Sequence, residues 1–154
     1  MLRADHPNAL WLTDVYSPDM GDEGYAQRVE AVMRRVSPEF VIHTGGVRLA
    51  STGGLAFMKV YAQRRAEFGA PTTVEIYQIL ADDHYGIIYA RFRSERGGEV
   101  RETPGMGAWR FEAGMAVEHW EMPDGPSWDR FYLPAGTEPS DEQVAAYWGD
   151  RSGR

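Results

Sequence analysis

Between Thr72 and Met122 the sequence runs with a period of two. Four stretches, Thr72–Ala81, His84–Arg96, Glu99–Glu112 and Met115–Met122, are separated by Asp82-Asp83, Gly97-Gly98 and Ala113-Gly114. Alternation of this kind marks strands, and two-residue breaks built from Gly and Asp mark tight hairpin turns. Connections that short can join only antiparallel neighbours. The chain is therefore expected to form a four-stranded antiparallel meander, and this restricts the architectures open to the rest of it.

Upstream the period is helical. Tyr25, Val29, Val32 and Val36 form one apolar stripe, predicting a helix over 22–36 that Ser37-Pro38 ends. Leu55, Phe57, Met58, Tyr61, Ala62 and Phe68 give a broad apolar face to a helix over 54–68. Ser51 or Thr52 would cap it and Gly69-Ala70-Pro71 would stop it. Residues 8–17 read as a shorter helix ending before Pro18, and Glu39–Thr44 as a short strand. Gly45-Gly46 and Gly53-Gly54 bracket a loop. After Pro123 the chain is rich in Pro and Gly. There Ser140-Asp-Glu-Gln143 fits a capping box for a terminal helix over 141–148, followed by a frayed tail, Gly149–Arg154. Helices first and a meander after is an α+β order, and 154 residues suit a single domain with a real core.

Composition removes several functions. A formal net charge of −7 argues against nucleic acid as the main partner, because phosphate neutralisation needs a basic surface. The absence of cysteine excludes disulfides, thiolate nucleophiles and thiolate metal sites. No apolar run approaches the ~20 residues that span a bilayer, and Met-Leu-Arg-Ala-Asp-His-Pro lacks a signal peptide's apolar stretch. A cytoplasmic location is the resulting expectation. No His pair suggests a metal, no G-x-S-x-G elbow is present, and the glycine pairs lack the lysine and spacing of a phosphate loop.

The hairpin Trp109-Arg-Phe-Glu-Ala-Gly-Met-Ala-Val-Glu-His-Trp-Glu121 carries the chemistry. Trp109 and Phe111 share a face with Gly105 and Gly107, and this face is expected to be interior. Glycines there would let the sheet bend strongly. In the last strand His119 and Glu121 share a face with Met115 and Val117, while Ala116, Glu118, Trp120 and Met122 lie opposite. Both faces are half apolar, so parity alone does not say which is inside.

These residues resemble the nuclear transport factor 2-like superfamily, in particular its SnoaL-like polyketide cyclase branch. Pro38-Glu-Phe-Val-Ile-His-Thr-Gly45 is similar to the family's apolar strand with His then Gly, and the hairpin to its recurring W-R-F…G…E-H-W-D. The likeness covers roughly residues 8–123. It implies a curved antiparallel sheet wrapped around the N-terminal helices, a cone-shaped α+β barrel enclosing a deep pocket. It also implies a homodimer, and a cofactor-free, metal-free cyclase or isomerase acting on a hydrophobic polyketide-like intermediate. A noncatalytic small-molecule binder, an interaction module with a plugged pocket, or an epoxide hydrolase of the same fold are the alternatives.

By this resemblance Glu121 stands where the cyclases carry an essential Asp, His43 where the isomerases carry their base, and Arg91 where the epoxide hydrolases carry an Arg. Two departures are visible. Arg93 replaces an acid of the epoxide-hydrolase pattern, and Gly107 lies near the isomerases' second acid. Glu121, His119, His43 and Arg91 are thus the expected catalytic residues, with Trp109, Tyr89, Tyr16 and Trp11 shaping the pocket. Imidazole has suitable basicity for removing a proton α to a carbonyl, and a carboxyl in an apolar cup can act as base or acid. Against this, histidine in a strand also serves as an ordinary hydrogen-bonded residue, and Arg91 as a surface ion-pair partner.

Overall fold

The structure, a computed structural model, describes residues 1–16, 25–44, 47–68, 73–96, 98–123, 140 and 142. The elements are α1 (Pro7–Val15), α2 (Tyr25–Met33), β1 (Val36–Thr44), β2 (Val47–Arg48), α3 (Gly53–Phe68), β3 (Thr73–Ala81), β4 (Tyr85–Arg96), β5 (Glu99–Glu112) and β6 (Met115–Pro123). The expected terminal helix and tail lie outside the described residues, Glu142 apart.

The four alternating runs are β3 to β6, each within one residue of its expected ends, and they pair antiparallel in chain order. The six-stranded sheet runs β2-β1-β6-β5-β4-β3. β1 lies beside β6 and parallel to it, a pairing that the meander pattern does not reveal. The chain leaves β1 and β2, crosses through α3 to the far edge at β3, and returns strand by strand until β6 meets β1.

Helix α2 is shorter than its apolar stripe suggests. Val36 opens β1 instead of closing the helix. Ser37 precedes a proline, which disfavours helical backbone there. The sheet also captures the segment: Ala116 N–H donates to the Arg35 carbonyl at 2.7 Å and Val36 stands in register with Ala116. Pro38, with no N–H to give, falls inside the register shift between Val36 and Val41.

The inner face of the sheet supplies Phe40, Ile42, Ile88, Trp109 and Phe111 to the core. Helix α1 covers it with Trp11, Leu12, Val15 and Tyr16, and α3 with Ala56, Phe57 and Val60. Trp11 meets Trp109 and Phe111 edge-on, at 5.4 and 5.8 Å between ring centroids, the arrangement that ring quadrupoles favour. Arg35 lies over the Trp11 ring and donates to the Gly114 carbonyl at 2.8 Å and to the Asn8 side chain. It thereby ties α1 to the β5–β6 turn. That turn has positive φ at both Ala113 (49°) and Gly114 (79°), as a primed hairpin turn requires. Among the described residues no helix is long and apolar enough to cross a membrane.

Candidate active site

A bulge in β6 decides the parity that the sequence leaves open. Phe111 pairs with Ala116 and Arg110 with Glu118, so Val117 is an extra residue. Such an insertion shifts the alternation by one. Ala116 and His119 consequently both face inward, although three positions separate them, and both are almost wholly buried. Beyond the bulge Glu118 and Trp120 face outward, while His119 and Glu121 share the inner face, their side chains 3% and 8% exposed. The imidazole and the carboxyl lie inside the cone.

Each hydrogen bond around His119 constrains its protonation. Nδ1 lies 3.0 Å from the Ala108 carbonyl oxygen. A carbonyl only accepts, so Nδ1 holds a hydrogen in the neutral and charged ring alike. In the neutral ring Nε2 therefore carries the lone pair. It faces two groups, Tyr16 Oη and Glu121 Oε1, each at 3.5 Å. Trp109 Nε1–H donates to Tyr16 Oη at 3.2 Å, a bond that occupies an oxygen lone pair and not the phenol hydrogen. A neutral imidazole is served by the Tyr16 hydroxyl, and an imidazolium by the Glu121 carboxylate. The imidazole lies on the Trp109 indole at 4.0 Å between centroids, and Phe40 also stacks with that indole, at 5.5 Å.

Gly107 makes room for this arrangement. A Cβ there would stand 2.9 Å from His119 Cε1, 3.0 Å from Ile88 Cγ2 and 3.3 Å from Tyr16 Oη. Two hollows adjoin at Tyr16, His119 and Glu121. One, with room of only about 10 Å³, is floored by Ile88, Ala90, Phe92, Gly105 and Gly107. The other, equally small at about 10 Å³, lies among Val15, Ile42, Phe57, Val60 and Trp109. Among the described residues no three His, Asp or Glu side chains gather in a metal-holding group.

The other expected site residues are placed elsewhere. Phe40, Ile42 and Thr44 of β1 are buried, so His43 points to the outer face. There it stacks on Trp120, 5.5 Å between centroids, and bonds Glu118 Oε1 at 2.8 Å. In β4 the inward residues are Ile88, Ala90 and Phe92, which turns Tyr89 and Arg91 outward. Arg91 pairs with Glu75 and Glu102, and the hydrogen bond it donates to Glu75, aided by the charge of Glu102, raises its pKa above the ordinary arginine range. Tyr89 packs on Tyr77. His43, Arg91 and Tyr89 are therefore not brought to the pocket. Trp11 is core: its Nε1–H donates to the Val32 carbonyl at 3.3 Å. Trp109 backs His119, and Tyr16 reaches both hollows.

Sequence reasoning missed the flooring residues Ile88, Ala90 and Phe92. The signal was present: with Arg96 opposite Glu99, Ile88 falls opposite Gly107 and Ala90 opposite Gly105, so the face of Trp109 carries into β4.

Solved structures share this architecture. A candidate SnoaL-like polyketide cyclase from Jannaschia sp. CCS1 superposes with a TM-score of 0.63 at 12% identity, covering 81% of this chain and 90% of that one. The chain has the nuclear transport factor 2-like fold of SnoaL-like proteins. Bal32a, from a soil-derived mobile gene cassette, matches this SnoaL-like cone with a TM-score of 0.64, 19% identity and coverage of 81% and 95%. IdmH, a candidate polyketide cyclase from Streptomyces antibioticus, matches it at 0.58, 18% identity and coverage of 79% and 95%. No family model matches the sequence, and no curated protein matches it.

Proposed function

We propose that this SnoaL-like protein is a cofactor-free cyclase or isomerase that moves protons on a hydrophobic, polyketide-like ketone held in the cone. One observation carries the reading: His119 Nδ1–H is locked on the Ala108 carbonyl, which leaves Nε2 as a buried base facing a hydroxyl and a carboxylate. Nε2 takes a proton from a carbon α to the substrate carbonyl, and Tyr16 O–H donates to the developing enolate oxygen. Glu121 carboxylate faces the imidazolium so formed. In a cyclisation the enolate carbon then attacks a second carbonyl of the same chain, one C–C bond forms, and the imidazolium returns its proton to the new alkoxide. Holding the two reacting carbons together supplies much of the acceleration. The cyclase names of the structural neighbours support the same class.

The test needs no native substrate. Benzylacetone in D2O exchanges its α-hydrogens for deuterium when a base removes them, and proton NMR follows the loss. Wild-type protein is expected to accelerate exchange over buffer, and His119→Ala to lower the protein's contribution about a hundredfold, the scale of general-base catalysis. Equal exchange by wild type and His119→Ala overturns the reading.

The proposal includes a homodimer. On the outer face Tyr77, Tyr89, Met106 and Met122 are each 45–50% exposed. Tyr89 is opposite Met106 and Met106 opposite Met122, so they form one apolar row across the sheet, which a second copy would cover.

A further inference from the structure

The His119 imidazole is held nearly flat on the Trp109 indole. Their ring centroids are 4.0 Å apart and their planes meet at 21°. Two features keep the imidazole there. Its Nδ1 is bonded to the carbonyl of Ala108, the residue before Trp109, and Gly107 puts no side chain where the Cε1 edge of the ring lies. The indole is held in turn. Phe40 stacks with it at 5.5 Å and 15°, Trp11 and Tyr16 meet it at 86° and 88°, and its Nε1–H donates to Tyr16 Oη. Trp109 is 2% exposed and His119 3%, so water screens the contact little.

A positive charge at this depth needs a partner. Around the ring stand Tyr16 of α1, Ile42 of β1, Phe57 and Val60 of α3, Ile88 of β4, Gly107 and Trp109 of β5 and Glu121 of β6. Among the described residues lining the two hollows, Glu121 is the charged one beside His119. Its Oε1 lies 3.5 Å from Nε2, longer than the ~2.7–2.9 Å of a charge-assisted hydrogen bond. An imidazolium has no lone pair at Nε2 for the Tyr16 hydroxyl to donate to. The indole, by contrast, is in full contact, and its face is the negative part of the ring quadrupole. Tryptophan attracts a cation more strongly than the other aromatic side chains, within about 6 Å of the centroid, and more so when both groups are desolvated.

We infer that Trp109 is a positioning residue for charge: its indole face stabilises the His119 imidazolium, and so sets how firmly Nε2 keeps a proton it has taken. One side chain then serves two neighbours, its N–H edge the phenol of Tyr16 and its face the imidazole. The bearing of this on the reaction rests on the reading of His119 as the base.

The test places mono-, di- and trifluorotryptophan at position 109 alone in the full chain. Fluorine withdraws electron density from the indole face, changes its shape little and leaves Nε1–H in place. With nitrogen-15 histidine, NMR follows each imidazole against pH, and the His119 signal is the one missing from His119→Ala. The His119 midpoint is expected to move to lower pH with each fluorine, by about half a pH unit with three, which is about threefold weaker proton binding. His43, stacked on Trp120 at the outer face, is expected to keep its midpoint. A His119 midpoint that stays fixed along the series overturns the inference, as does a movement shared equally by His43. The deuterium-exchange assay separates this from the reading it rests on. A midpoint that falls along the series without His119-dependent exchange keeps the role of Trp109 and removes the base. His119-dependent exchange with a fixed midpoint keeps the base and removes the role of Trp109.

Discussion

Gly107 stands directly across the β5–β6 ladder from Glu121, and the side chain it lacks is the space into which the His119 ring extends. The carboxyl and the gap that admits the imidazole are thus two sides of one strand pair. Gly107→Ala would place a methyl 2.9 Å from His119 Cε1, so ring, phenol or strand must shift. Overpacking of this kind costs about 1–3 kcal/mol. The expected outcome is a lower urea midpoint and a loss of α-hydrogen exchange larger than the stability loss explains at temperatures where the variant is folded. Wild-type exchange in Gly107→Ala would show that the ring's placement is not critical.

Trp109 and Tyr16 act through one hydrogen bond, Nε1–H to Oη at 3.2 Å. Trp109→Phe keeps an aromatic face under the imidazole and removes that donor. It should slow exchange by about the same factor as Tyr16→Phe, and the double variant should be no slower than either single one, because coupled groups are not additive. Multiplying effects in the double variant would place the two residues in separate roles.

The outer face carries a pH dependence of its own. Partial burial pushes the Glu118 carboxyl up, but hydrogen bonds from His43 and Arg110 outweigh it and hold the group below its ordinary 4.5. A carboxyl depressed in the folded state adds stability above its unfolded pKa and loses it as pH falls through the folded value. Unfolding free energy is therefore expected to fall as the pH is lowered from about 4.5, and Glu118→Gln should flatten the fall. Asp82, held low by the backbone N–H groups of Tyr85 and His84, should leave a residual slope. An unchanged profile in Glu118→Gln, measured by urea unfolding at each pH, contradicts the assignment.

The apolar row on the outer face gives a prediction about assembly. Size-exclusion chromatography with light scattering should find a dimer for the wild type. Met106→Lys puts a charge at the middle of the row, opposite both Tyr89 and Met122, and should shift the protein to monomer without loss of cooperative melting. A monomeric wild type would leave the row uncovered and end the proposal.

Much of this could be read in the chain because hairpin turns are local. Two-residue breaks at Asp82-Asp83, Gly97-Gly98 and Ala113-Gly114 set the antiparallel order, and the pairing of Trp109 with Phe111 gave the inner face of β5. The resemblance of the last hairpin to the SnoaL-like pattern pointed to His119 and Glu121. The wider superfamily likeness also promoted His43 and Arg91, and Tyr89 was expected to shape the pocket; the strands turn all three outward. Strict alternation could not rule on them, because β1 and β4 are apolar on both faces.

The order of secondary structure, the meander and the presence of an imidazole and a carboxyl near its end are properties of the sequence itself. They follow from side-chain periodicity and turn chemistry, which act over a few residues. Which face those two groups share with the pocket was decided only in three dimensions. The bulge at Val117 and the parallel seating of β1 against β6 depend on contacts between residues about 80 positions apart, such as Val36 with Ala116, and a shift of one residue in register exchanges inside for outside.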